Sequence, residues 1–86
     1  MERMVDVTKA RILARYIIEI TFETGETKVI DLEPLLQGPV FEPLIHDYQL
    51  FTQLRVDPDA GTIVWPNGAD VSPRTLYQRS RDVVPS

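Results

Sequence analysis

The sequence predicts an α+β fold: a small curved, largely antiparallel β-sheet made of two hairpins, with two or three short helices. Three observations carry that expectation. Two stretches alternate apolar and polar side chains, each returns on itself across a glycine-bearing turn, and aspartate or serine precedes the short stretches where apolar residues recur at helical spacing. The 86 residues, 43% hydrophobic and 26% charged, suit one folded domain over 1–86.

Val5 and Val7 stand at strand spacing and predict a first strand over 4–9, although 9–15 also fits the start of a helix. Over 16–23, Ile18, Ile20 and Phe22 share one face while Ile17, Glu19 and Thr21 share the other. Thr24-Gly25 makes the turn, because glycine accepts positive φ. The return strand over 27–32 sets Lys28, Ile30 and Leu32 against Val29 and Asp31. Asp31 then caps a short helical turn through Leu35 and Leu36, with Pro34 in its first turn and Gly38 stopping it. Pro39 and Pro43 read as breaks in the backbone.

Asp47 is a second N-cap, and Leu50, Phe51 and Leu54 follow near helical spacing, so a short helix is expected to end near Gln53. The clearest hairpin pairs 54–57 with 62–65. Leu54 and Val56, then Ile63 and Trp65, alternate on either side of Asp57-Pro58-Asp59-Ala60-Gly61, a turn that uses proline early and glycine at its left-handed exit. Pro66-Asn67-Gly68 ends the second strand, and Ser72-Pro73 starts a last helix through about Ser80 that offers Leu76 and Tyr77 to the core. Pro85 and Ser86 are expected to fray. The expected core is Ile18, Ile20, Phe22, Ile30, Leu32, Phe41, Leu44, Phe51, Val56, Ile63, Trp65 and Leu76.

Composition narrows the chemistry. With no cysteine there are no disulfides, thiolate nucleophiles or cysteine-based metal sites. Apolar runs fall far short of the roughly 20 residues that cross a bilayer, and a cytoplasmic protein is the expectation. A net charge of −4 argues against a general grip on nucleic acid. Basic residues nevertheless gather near the start (Arg3, Lys9, Arg11, Arg15) and near the end (Arg74, Arg79, Arg81). Two solvated basic ends explain them more simply than a nucleic-acid site.

Trp65 to Asp70 is the most distinctive stretch, with a large aromatic, a tight turn, an amide and a carboxylate beside a helix start. Trp65, Asn67, Asp70 and Arg74 are the candidate ligand- or partner-binding residues. The competing account is structural: Trp65 ends an alternating strand, Asn67-Gly68 is turn chemistry, and Asp70 complements local amides. His46 is the only histidine, too few for a usual histidine metal site, and no nucleophile-elbow glycines accompany it. Asp57 and Asp59 flank a turn without calcium-loop spacing, and the four glycines form no phosphate loop. No catalytic, metal or cofactor-binding residue, and no cofactor, is expected.

The run Gly38-Pro39-Val40-Phe41-Glu42-Pro43-Leu44, then Leu50-Phe51, Arg55-Val56-Asp57 and Gly61-Thr62-Ile63-Val64-Trp65-Pro66-Asn67-Gly68-Ala69-Asp70, resembles the bacterial family called domain of unknown function 2442. The resemblance extends through Phe22, Gly25-Glu26 and Asp31-Leu32 upstream and through Pro73, Leu76 and Tyr77 downstream. It departs at Tyr48, where family members usually have proline. The resemblance implies a small α+β fold with a curved antiparallel sheet and supplies no established activity. Genes of similar proteins often sit beside another small uncharacterised protein, which implies an antitoxin-like or regulatory member of a two-gene pair.

The expected function is therefore a non-enzymatic module that binds a macromolecule, most simply a protein: the neighbouring gene product or a second copy. The alternatives are a nucleic-acid-binding transcriptional regulator working through the basic ends, and a small enzyme whose site the spacing does not reveal.

Overall fold

A computed structural model describes residues 5–82. In chain order it has β1 (Val7–Ala14), β2 (Ile17–Phe22), β3 (Thr27–Asp31), a 3₁₀ turn (Glu33–Leu35), α1 (Glu42–His46), α2 (Tyr48–Phe51), β4 (Arg55–Asp57), β5 (Thr62–Val64), α3 (Pro73–Arg79) and β6 (Arg81–Asp82). The α+β class and both expected hairpins are present. The antiparallel strands are divided between two sheets, one ordered β1-β2-β3-β6 and the other β4-β5.

Register follows the alternation. Ile18 lies opposite Ile30 and Ile20 opposite Lys28, while on the other flank Ile12 meets Ile18 and Ala10 meets Ile20. The inner face of the large sheet therefore carries Ile18, Ile20, Phe22 and Ile30, all buried. One core joins them to Leu44 of α1, Phe51 of α2, Ile63 and Trp65 of the small hairpin, and Leu76 of α3. Fully burying one such side chain is worth about 1.5–3 kcal/mol, so this shared contact, rather than the short helices themselves, holds the layers together.

The local signals act as their chemistry requires. Asp31 Oδ1 accepts from the Glu33 amide at 3.0 Å, from one position ahead of the 3₁₀ turn's N-cap, which is Leu32. Asp47 Oδ1 accepts from Gln49 and Leu50 at the start of α2, and Ser72 Oγ accepts from Thr75 N at 3.1 Å at the start of α3, with Pro73 in its first turn. Gly61 leaves the β4–β5 turn at φ 69°, and its carbonyl accepts from Val7 N at 2.8 Å, tying the small hairpin to the start of β1.

Several expectations are corrected. The first strand begins at Val7 and runs on through Ala14, so 9–15 is mostly strand, not helix. Pro43 does not break the chain: it sits in the first turn of α1, where a missing amide proton costs nothing. The middle helix stops at Phe51, two residues before Gln53, whereas the last helix ends at Arg79 with Ser80 as its C-cap, as expected. Arg81, one of the basic residues near the end, belongs to β6, opposite Val29. Phe41 and Val56 are half-buried flanks of the core, and Val7, Tyr16, Leu36, Ala69 and Val71 join its buried part. Arg3, Pro85 and Ser86 lie outside the described residues.

Candidate interaction surface

The stretch singled out by sequence is built into the frame. Trp65 is 2% exposed, and its indole Nε1 donates to the carbonyl of Phe51 at 3.0 Å, so the small hairpin is fixed to α2. Asn67 bridges two neighbours: Nδ2 donates to the Val40 carbonyl at 3.1 Å, and Oδ1 accepts from Ala69 N at 3.1 Å. Trp65 N then donates to Ala69 O at 2.9 Å, closing the turn around Gly68, whose φ is 90°. Thr62 Oγ1 donates to the Val71 carbonyl beneath that turn. Asp70 and Arg74 are exposed, and Asp70 pairs with Val64 through a single backbone bridge. Of the four residues only Trp65 is buried; Asn67, Asp70 and Arg74 are exposed, Asn67 with its amide bonded to Val40 and Ala69.

The remaining polar candidates fall into local roles. His46 is exposed at the last turn of α1, and Asp57 Oδ1 accepts from Asp59 N at 2.9 Å within its own turn. Among the described residues no group of three or more histidines and carboxylates is placed to hold a metal. No described helix is long and apolar enough to cross a membrane.

A second surface runs along β1, an edge strand and the longest in the protein. On the face of the large sheet away from the core, Arg11 lies opposite Glu19 and bonds it, Nε to Oε1, at 2.9 Å, while Lys9 lies opposite Thr21. A shallow hollow curls around the strand, lined by Lys9, Ala10, Arg11, Glu19, Thr21 and Val56. Beyond it, Leu13 is 45% and Ile17 36% exposed, high values for large apolar side chains. Arg15 closes the β1–β2 turn at φ 50°, and its carbonyl accepts from the Tyr48 hydroxyl at 2.6 Å.

A family model described as protein of unknown function (DUF2442) matches residues 7–82. The chain belongs to this family. No curated protein and no solved structure matches it. In this DUF2442 protein, then, part of the stretch that carries the family resemblance is architecture: Trp65 and Asn67 hold α2 and the 38–41 loop to the small hairpin.

Sequence reasoning allowed for an exposed strand edge but did not place it, and it passed over a second feature. The edge is β1, and a short alternation around Val5 and Val7 does not reveal where a strand ends or whether it gains a second neighbour. The other is Lys28, a buried cation whose ammonium stands 4.4 Å from the centre of the Tyr77 ring. The Tyr77 hydroxyl donates to Glu26 Oε1 at 3.0 Å, so an electron-rich ring lies between a cation and a carboxylate. Alternation did put Lys28 on the face of Ile30 and Leu32. The presence of an aromatic partner from α3 is a long-range fact with no local signature.

Proposed function

We propose that the protein works by binding another protein, as the antitoxin-like or regulatory member of a two-gene pair, and performs no chemistry of its own. The observation that carries this reading is the β1 edge. Apart from Val7 N bonding Gly61 O, β1 has no backbone hydrogen bond to any element but β2 among the described residues. β4 and β5 pack close to β1, but an edge left without backbone bonds over this length is a template on which another chain can pair. Exposed Leu13 and Ile17 add apolar area beside it. Asp70 and Arg74, both exposed, are the candidate residues that a partner would touch elsewhere on the molecule. A cytoplasmic setting is part of this reading.

One observation favours a second reading. Lys9, Arg11 and Arg15 all lie exposed on β1 and its turn, which suits a phosphate backbone and a nucleic-acid-binding regulator. The two readings separate by experiment. The tagged protein is purified gently from its native host, co-purifying proteins are identified by mass spectrometry, and each is remade and mixed with it for size-exclusion chromatography with light scattering. A defined complex at physiological salt supports the protein-binding reading. A protein that stays alone but is retained on DNA in a salt-dependent way overturns it.

A further inference from the structure

We propose that the outer edge of β1 receives an extended segment of a partner protein in which acidic and apolar residues alternate, the acidic ones meeting Lys9 and Arg11 and the apolar ones meeting Ala10, Ile12 and Val56. This inference rests on the protein-binding reading above and names the chemistry of the partner.

The direction of the backbone groups fixes where the segment attaches. Phe22 N bonds Glu26 O on the β3 side of β2. Carbonyls and amides alternate sides along a strand, so Glu19 and Thr21 turn theirs towards β1, where they face Arg11 and Lys9. Ala10 and Ile12 therefore carry their amide protons and carbonyls outward. An incoming strand bonds to those two residues.

Side chains supply the selectivity. Lys9 and Arg11 project on the solvent face of the sheet, while Ala10 and Ile12 project on the core face, where they and Val56 are only half-buried. The hollow that joins Lys9 and Arg11 to Ala10 and Val56 passes around this edge, so one strand lying in it meets both sets. A residue opposite Lys9 or Arg11 profits from negative charge, and its neighbours profit from an apolar side chain that completes the cover over Ala10, Ile12 and Val56. Glu19 bonds Arg11 from one side only, which leaves other guanidinium donors for a partner carboxylate.

The same charges disfavour a second copy as occupant. An antiparallel pair of β1 strands centred on Ala10 sets Lys9 of one against Arg11 of the other, and centring on Arg11 sets the two arginines face to face. Like charges directly opposite destabilise a strand pair.

The test uses the whole protein and two short capped peptides, one alternating glutamate with valine and the other alternating lysine with valine. Amide NMR spectra and binding isotherms are recorded for both. The expected result is that the glutamate peptide shifts the Ala10 and Ile12 amides and binds at least tenfold tighter than the lysine peptide. Ala10→Pro removes an outward amide proton at an edge position that tolerates proline, and it is expected to weaken binding at least tenfold while the protein stays folded. Lys9→Glu, a surface change that leaves the backbone intact, is expected to weaken binding about fivefold at low salt, with the loss shrinking as salt rises. That variant decides the matter if Ala10→Pro does not fold. Equal binding of the two peptides, no binding of the glutamate peptide, shifts confined to other elements, or a dimer joined through β1 overturns the proposal. A partner protein that still co-purifies in any of those cases leaves the protein-binding reading standing and moves its contact off β1. A protein that gains no partner at all removes both.

Discussion

Trp65 and Phe51 are joined twice, once by a hydrogen bond from the indole Nε1 to the Phe51 carbonyl at 3.0 Å and once by ring contact at 5.9 Å between centroids. The first contact satisfies the only polar atom of a buried indole and one of the last carbonyls of α2. The second places both rings in the shared core. Trp65→Ala is expected to lose both and to cost about 3 kcal/mol or more. Thermal melts check this, and at about 4–8 °C per kcal/mol in a domain of this size the drop is large. A midpoint that stays within about 2 °C of the parent would show that the indole carries no structural weight.

Asp47→Ala removes the carboxylate that accepts from the Gln49 and Leu50 amides at the start of α2. The expected loss is about 1 kcal/mol, typical of an N-cap. Urea unfolding reads it directly, and Asp47→Ser, which restores an acceptor, should recover most of the difference.

Gly61→Ala meets two obstacles. The residue holds φ 69°, and a Cβ there would stand 2.5 Å from an Asp6 carboxylate oxygen. The left-handed conformation alone costs a side-chain-bearing residue about 1–2 kcal/mol. The double variant with Asp6→Gly removes the clash but not the backbone cost, so urea unfolding of the single and double variants divides the two contributions.

Tyr48→Phe deletes the hydroxyl that donates to the Arg15 carbonyl at 2.6 Å, while its ring can keep its edge contact with Tyr16 at 5.6 Å. A loss of about 1 kcal/mol is expected, since the bond is exposed and water replaces it in part. Amide hydrogen exchange should quicken at the β1–β2 turn and leave the small hairpin unchanged.

These positions show what could be read from sequence and what could not. Asp47, Ser72 and Gly61 act within a few residues of themselves, and their roles were legible from residue type and spacing. The faces of β2 and β3 were legible for the same reason, down to Lys28 beside Ile30. The misreading of Pro43 came from taking proline as a breaker when its effect depends on whether it falls in the first turn of a helix. Two-residue β6 has no periodicity to read. Within the candidate site, sequence could name Trp65 and Asn67 but not their acceptors, because Phe51 and Val40 lie 14 and 27 positions away.

The Tyr77 hydroxyl and the Glu26 carboxylate meet although 51 positions separate them. On a ribosome adding about 5–20 residues per second, the β2–β3 turn is made about 3–10 seconds before the tyrosine that will cover it. Closing a loop of that length costs about 3.5 kcal/mol of chain entropy beyond a fixed term, which the contacts α3 makes on the sheet must offset. Until α3 docks, Phe22 and Lys28 face water on a nascent chain. The interval is the period in which this small protein is most exposed to chaperones, to proteases and to pairing with a neighbouring nascent chain.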